Sequence, residues 1–261
     1  MRKRILWVNT LGSSEYDSPI ADLLGQVKDP ETEVEVVSLA LPEPLAHVEY
    51  RSYEALTHGD IVRLAADGGH RGLDAMVIGC FFDPALKEAR EVSGDMVVVG
   101  PCLAAVQLAA TLADSFSIIV TRNKCARKTI ERVQDYGASG HLASIRSLNI
   151  GVDSLRADPD LTMRRIKEEA HRAVDEDQAE VVVLGCTVEF GFHEEVQKET
   201  GVPVIDAVCA PFKLAEHLAG LKRRFGWVPS RVGSCEPPPA HEIERFGLFK
   251  TSPPVRNRIE V

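Results

Sequence analysis

The sequence lacks the features that mark several large classes of proteins. Its 30 Lys and Arg residues are outnumbered by 39 Asp and Glu residues, and no basic run carries interleaved aromatic residues. A net charge of −9 argues against a surface that follows nucleic-acid phosphates. The apolar run near the start covers only residues 5–8, too few for a signal peptide or a membrane span. We therefore expect a cytoplasmic protein that binds neither nucleic acid nor a membrane.

Motifs for common cofactors and metals are also missing. No Walker sequence, G-x-G-x-x-G or H-E-x-x-H occurs, and no lysine has a context typical of pyridoxal phosphate. The six cysteines form no C-x-x-C pair and show no metal-ligand spacing with histidine. We expect no cofactor and no metal. For Cys102, Cys125, Cys209 and Cys235 we expect the role of a small buried hydrophobic residue.

Short apolar runs alternate with amphipathic stretches along the chain, which predicts βαβ units and parallel sheets. The predicted strands, rich in Val and Ile, are residues 5–8, 34–38, 75–78, 96–99, 117–120, 181–184 and 203–205. Examples of the predicted helices are residues 52–70, 84–93, 102–113, 124–136, 160–177, 193–200 and 209–220. The fold class is therefore α/β. Asp83 and Pro84 are expected to cap and begin the helix after Cys80.

The chain also resembles itself at a shift of 106 residues (186 − 80). This shift lays DAMVIGC over EVVVLGC, and MVVVG over VPVID, without a gap. We predict two pseudo-symmetric parallel-sheet halves, 1–112 with Cys80 and 113–220 with Cys186, with N-terminal strand segments free to cross between them. The active site is expected in the crevice between the halves. Residues 221–261, rich in proline and charge, are predicted to form an irregular tail that either wraps a neighbouring subunit or is partly disordered.

Cys80 and Cys186 stand in matching places, each after a predicted strand and a glycine. Ligands of open α/β sheets collect beyond the carboxyl ends of the strands, so the two thiols are expected to face one another. Such a pair can invert a carbon next to a carbonyl, because one thiol takes a proton from one face and the other returns a proton to the opposite face. A free thiol titrates near ~8.5, so a helix N-terminus or nearby donors should lower one pKa. The alternative is that both cysteines only fill space; two matching positions favour chemistry.

Further candidates for the site lie beside these strand ends. Backbone amides after each cysteine could hold a developing negative charge, and hydroxyl or amide side chains could bind substrate, although turn formation and capping are equal alternatives. Phenylalanines beside the cysteines could wall a pocket or pack in the core. Glu189 could orient a thiol, bind an N–H group or be solvated. The candidate substrate-binding residues are Asn9, Ser13, Phe81, Phe82, Thr121, Thr187, Val188 and Glu189.

Several of these segments look familiar. VVVLGCT followed by GVPVIDAVCAPFKLAEHL resembles the second half of the aspartate/glutamate/hydantoin racemase superfamily. CFFDPALKEARE, VVVGPCLAAVQLA, SFSIIVT and YGASGHLASIRSLNIGV resemble its hydantoin racemase branch. The resemblance covers most of 1–220. It implies a cofactor-independent isomerase, a racemase or epimerase of 5-substituted hydantoins or allantoin-like ureides, with Cys80 and Cys186 as the acid/base pair.

The sequence departs from that branch around the expected pocket. The segment VNTLGSS keeps Asn9 but lacks the proline of the branch's Asn-Pro-Asn segment. Phe82 stands where many members of the branch have Gly. After Cys186, this chain has TVEFGF in place of a segment of small residues of the AGM type. The alternatives are a maleate-type cis–trans isomerase, an arylmalonate-type decarboxylase, an amino-acid racemase or a non-catalytic ligand-binding relative. Decarboxylases of the superfamily typically keep only the second cysteine, so Cys80 counts against them. From base rates and the tail we also expect a homo-oligomer.

Overall fold

A computed structural model describes residues 2–250 and 255–261. Its strands are β1 (Lys3–Asn9), β2 (Thr32–Leu39), β3 (Ala75–Gly79), β4 (Val97–Val99), β5 (Phe116–Val120), β6 (Leu142–Ser147), β7 (Val181–Leu184), β8 (Val204–Ile205) and β9 (Val255–Glu260). Its α-helices are α1 (Asp17–Val27), α2 (Arg51–Ala55), α3 (His58–His70), α4 (Leu86–Val92), α5 (Pro101–Leu112), α6 (Asn123–Asp135), α7 (Pro159–Asp175), α8 (His193–Thr200), α9 (Cys209–Phe225) and α10 (Ala240–Phe246). Within this described part, no helix is both long enough and apolar enough to span a membrane.

Two compact units divide the chain. The first comprises Met1–Gly79, Asp83–Gly100 and Phe212–Val261, and the second comprises Cys80–Phe82 and Pro101–Pro211. The second unit therefore contains both Cys80 and Cys186. Its limits differ from the predicted boundary at 112/113, because α5 belongs to the second unit and most of α9 to the first.

The first unit is built on a five-stranded sheet with the order β4-β3-β1-β2-β9. Strands β1 to β4 are parallel, as the apolar runs predict, and β9 pairs with β2 in the antiparallel direction. Trp7 pairs with Val36 on one side and Val77 on the other, and all three are fully buried. Strands covered on both faces have no exposed side for alternating polar residues, which explains their continuous hydrophobic sequence.

The second unit is built on a four-stranded parallel sheet with the order β6-β5-β7-β8. Ile118 pairs with Ile145 and Val183 near its centre. Numbered within each unit, the parallel strands of both sheets follow the order 2-1-3-4. Cys80 comes directly after the third strand of the first sheet, and Cys186 follows the third strand of the second. The α/β class with parallel sheets is confirmed.

Some predicted elements need correction. The predicted helix 52–70 is two helices, α2 and α3. Strand β6 was missed because none of its residues is fully buried, so its sequence has no apolar run. The tail predicted to be irregular contains α10 and β9. Residues of β9 alternate between partly exposed and exposed, and a short alternating strand among many charges gives a weak signal.

Candidate active site

Cys186 is held at the end of β7 by a close approach between strands. The Gly185 N–H donates to the Ile119 carbonyl at 2.7 Å, and a Cβ on Gly185 would lie 2.5 Å from that oxygen. Only glycine leaves room for this contact. Cys186 itself has an extended backbone and is partly exposed. A single 3-10 turn follows at Thr187–Glu189, and α8 does not begin until His193.

The Cys186 thiol has a raised pKa. Although part of the residue is exposed, the protein atoms packed around its sulfur raise the pKa well above its ordinary value, and the nearby Glu189 carboxyl raises it further. The Val188 N–H lies 3.5 Å from Cys186 Sγ and acts in the opposite direction, since it stabilises the thiolate. The sequence predicts that donors lower the pKa of one of the two thiols, and Cys186 is not that thiol. One turn of 3-10 helix supplies little dipole, and desolvation outweighs one N–H donor.

Cys80 lies in the same unit and is buried, with 7% of its surface exposed. Its thiol is close enough to Cys186 for the two to interact electrostatically, and that interaction also raises the pKa of Cys186. The two cysteines that the repeat singled out are thus brought near one another. Interacting thiols titrate as a pair.

The two residues after Cys80 are buried phenylalanines, and the second of them, Phe82, is held by α6. The Arg132 Nε donates to the Phe82 carbonyl at 2.8 Å. The Lys128 ammonium lies 3.8 Å from the centroid of the Phe82 ring, a cation–π contact. Backbone and ring of Phe82 are therefore both fixed by cations one helical turn apart.

The helix predicted to begin at Pro84 begins two residues later. Asp83 and Ala85 have positive φ values of 49° and 54°, and α4 starts at Leu86 with no side-chain cap. The Asp83 carboxyl faces Gly100 instead, because a Cβ on Gly100 would lie 2.3 Å from its Cγ. The prediction that Asp83 caps the helix after Cys80 is wrong, since α4 begins three residues later, at Leu86, without a side-chain cap.

Arg156 holds the segment after Cys186. Its Nε donates to the Val188 carbonyl at 2.9 Å, and its Nη2 donates to the Phe190 carbonyl. The guanidinium carbon also lies 4.0 Å from the Phe190 ring centroid and 4.8 Å from that of Phe192. Sequence reasoning missed both Arg156 and Arg132, because no pattern in the flanking residues marks them.

Glu189 is fully buried beside Cys186, so the solvated alternative is wrong. Neither of its carboxyl oxygens makes a hydrogen bond of good geometry among the described residues, although the backbone of Cys186 and of Gly185 lies close enough to lower its pKa. Burial raises the pKa of Glu189 well above its ordinary value, and the Asp206 carboxylate raises it further. Burial and the Asp206 charge thus favour the protonated form of Glu189.

Asp206 is the carboxylate whose charge raises the pKa of Glu189. It accepts N–H donors from Gly191 at 3.0 Å, Val208 at 2.7 Å and Cys209 at 3.0 Å. His193 Nδ1 lies 3.4 Å from its Oδ2. Burial opposes the charge, but His193 and the backbone donors keep the pKa of Asp206 below its ordinary value, and Asp206 raises the pKa of His193. The surroundings thus shift the pKa values of the two neighbouring carboxyl groups in opposite directions.

Thr121 and Thr187 are both buried at strand ends of the second unit. The Thr121 hydroxyl is 3.6 Å from the Cys125 sulfur. Cys125 also interacts electrostatically with Cys186 and raises its pKa. Cys125 is buried, as predicted for a small hydrophobic residue, but it neighbours the thiol pair as well.

Asn9 and Ser13 belong to the first unit, where their polar groups build the turn after β1. The Asn9 side-chain amide donates to the Ser13 carbonyl at 3.1 Å and to Asp17 at 3.0 Å, and its oxygen accepts the Leu11 N–H at 3.2 Å. The Ser13 hydroxyl accepts the Glu15 N–H at 3.2 Å. These hydrogen bonds build a turn, which is the alternative to substrate binding that the sequence left open for Asn9 and Ser13.

Comparison with known proteins identifies the family. A family model described as Asp/Glu/Hydantoin racemase matches residues 5–215. The chain belongs to this family. It is 39% identical to the hydantoin racemase of Rhizobium meliloti over 189 residues, which cover 72% of this chain and 76% of that protein. It is 32% identical to the hydantoin racemase of Pseudomonas sp. (strain NS671), over 85% of this chain and 88% of that protein.

A solved structure shares the fold of this racemase-family chain closely. The allantoin racemase from Klebsiella pneumoniae superimposes with a TM-score of 0.83 and 29% identity, over 91% of this chain and 94% of that one. The resemblance drawn from the cysteine segments is confirmed, and so is the expected enzyme class, an isomerase of the racemase type.

Proposed function

We propose that this protein is a cofactor-independent racemase or epimerase of 5-substituted hydantoins or related ureides, allantoin included. One observation carries the proposal: Cys80 and Cys186 follow the third strand of two sheets with the same strand order, and their thiols interact within one unit. The similarity to proteins named hydantoin racemase and allantoin racemase supports the substrate class.

The chemistry needs a thiolate on one face of the substrate carbon and a thiol on the other. One cysteine takes the C5 proton, and the other delivers a proton to the opposite face. The roles exchange for the other enantiomer. A hydantoin suits a protein without a cofactor, because its C5 anion is delocalised into the adjacent ring carbonyl.

The raised pKa of Cys186 suits the role of proton donor in the resting protein. When Cys186 gives up its proton, the Val188 N–H faces the new negative charge on sulfur. This use of the Val188 amide differs from the predicted one, a donor to the substrate oxyanion. The amides of Phe81, Phe82 and Thr187 remain candidates for that role.

Other parts of the site follow from burial and charge. Phe81 and Phe82 are buried and supply an apolar wall for the 5-substituent. In the protonated form that burial favours, Glu189 offers both a donor and an acceptor to a ureido group. Substrate contacts of Asn9, Ser13 and Thr121 remain predictions. An active site in a crevice between two halves, assembly as a homo-oligomer and a cytoplasmic location also remain predictions.

The test is polarimetry in deuterated buffer on chiral 5-substituted hydantoins, allantoin and free amino acids. We expect loss of optical rotation for the ring substrates, with deuterium at C5 of the recovered, uncleaved compound. Cys80→Ser and Cys186→Ser should each lower racemisation by about a thousandfold or more, since each removes one of two essential groups. Release of CO2 from an arylmalonate, isomerisation of maleate, or full activity in either variant contradicts the proposal.

A further inference from the structure

Two arginines make the same contact at corresponding positions after the two cysteines. Arg132 Nε donates to the carbonyl of Phe82, two residues after Cys80, at 2.8 Å. Arg156 Nε donates to the carbonyl of Val188, two residues after Cys186, at 2.9 Å. All of these residues lie in the second unit.

We propose that Arg132 and Arg156 are positioning residues, one for each cysteine, which hold the backbone after the thiol in the orientation that the reaction needs. The proposal rests on the proposed two-cysteine function. It assigns to these arginines a role through the backbone and no contact with substrate.

Arg156 has the geometry that this role requires. Its planar fork bridges the carbonyls of Val188 and Phe190, while its face stacks over the rings of Phe190 and Phe192. Lysine has the charge but not the fork, so it cannot reproduce two directed bonds from one plane.

A single residue, Val188, links Arg156 to the thiol of Cys186. The carbonyl of Val188 binds Arg156, and its own N–H faces Cys186 Sγ at 3.5 Å. Fixing the carbonyl restricts rotation of the backbone at this residue, so it keeps the N–H directed at sulfur. The neighbouring Gly191 N–H is fixed separately by Asp206 at 3.0 Å.

Arg132 serves the Cys80 side in a different way. It comes from α6, and one turn earlier the same helix places Lys128 over the Phe82 ring at 3.8 Å. The backbone and side chain of Phe82 are thereby tied to one rigid element. Because Cys80 lies only two residues before Phe82, these contacts also restrict the backbone that carries its thiol.

The test compares Arg156→Lys and Arg132→Lys with a control, Arg127→Lys. Arg127 also lies on α6, but it is 76% exposed and pairs with Glu131 at 3.4 Å. Each protein is alkylated with iodoacetamide across a pH series, and mass spectrometry follows Cys80 and Cys186 separately. The alkylation midpoint reports thiolate formation and needs no substrate.

In Arg156→Lys we expect the midpoint of Cys186 alkylation to move to higher pH. The shift should correspond to an acid dissociation constant of the thiol about fivefold smaller, which is the effect of losing one hydrogen bond to the thiolate. Its Cys80 curve should match the parent. Arg132→Lys should change the alkylation rate of Cys80 at least about threefold and leave the Cys186 midpoint in place. Arg127→Lys should leave both curves unchanged. Millimolar guanidinium should restore the Cys186 midpoint in Arg156→Ala.

Unchanged curves in both lysine variants overturn the proposal. So does a joint change of both cysteines in either variant, which reports general loosening. Melting curves by circular dichroism confirm that each variant is folded. If the parent racemises no hydantoin, the proposed function fails, yet the alkylation curves still decide the positioning role.

Discussion

Replacing Glu189 by glutamine tests whether a neutral acid is buried beside Cys186. Glu189 is fully buried, and neither of its oxygens makes a hydrogen bond of good geometry in the described part of the chain. Burial and then the Asp206 carboxylate raise its pKa well above the ordinary value of 4.5. Glutamine has nearly the same shape and cannot ionise, so the variant removes the titration and keeps the volume.

The sign of the pH effect follows from proton linkage. Below pH 4.5 both the folded and the unfolded chains hold the proton on Glu189, so the stability linked to this group is fully present. Between that value and the raised pKa only the folded protein keeps the proton. Its stability therefore falls by about 1.4 kcal/mol for each pH unit, the effect of one proton. Above the raised pKa the fall stops.

Urea unfolding of the parent and of Glu189→Gln at pH 5, 6, 7 and 8 measures this slope. The glutamine side chain leaves its own amide without partners, which adds a constant offset of about 1–3 kcal/mol. The offset does not depend on pH. We expect the variant to gain on the parent by about 1.4 kcal/mol per pH unit until the curve flattens at the pKa of Glu189.

Glu194→Gln provides the control, because Glu194 is exposed on the adjacent α8. Its difference from the parent should show no comparable slope. A stability difference for Glu189→Gln that stays constant from pH 5 to pH 8 would refute the buried neutral acid. The solvated alternative for this residue would then stand.

Two further predictions concern the elements around Cys186. Gly185→Ala places a Cβ 2.5 Å from the Ile119 carbonyl, so we expect a loss of about 1–3 kcal/mol in urea unfolding. Gly220→Ala has nothing within 4 Å of the added atom and should be neutral or stabilising; equal losses in both would contradict the close-approach account. Asp206 raises the pKa of His193, so this ion pair stabilises fully below pH 6.5 and the effect is lost as pH rises through the raised pKa. The stability advantage of the parent over His193→Gln should thus be larger at pH 5.5 than at pH 8.5, and equal values would contradict it.

Much of the fold could be predicted from local sequence pattern. Fully buried parallel strands need continuous Val and Ile, so β1, β3, β5 and β7 were visible as apolar runs. Strand β9 was not, because VRNRIE carries charges on its exposed positions and its partner β2 is far away in sequence. Local pattern reports burial on both faces of a strand, and it says little about an edge strand.

In the candidate site, too, some features could be predicted from the sequence and others could not. A strand followed by glycine and cysteine, twice, was enough to select Cys80 and Cys186, because parallel strands present their carboxyl ends in a predictable place. The protonation state of Glu189 was not predictable. It depends on how much protein surrounds the carboxyl and on Asp206, 17 residues further along the chain (206 − 189).

The sequence by itself therefore determined the α/β class and contained the internal repeat that led us to propose the two thiols, since short runs of residues carry each of these signals. Only the tertiary structure decided the surroundings of those thiols. Arg132 and Arg156 reach the cysteine segments from 50 and 32 residues away, and the Val188 N–H faces sulfur only because the chain turns there. Charge, burial and hydrogen bonding depend on atoms that folding brings together, and no local pattern records them.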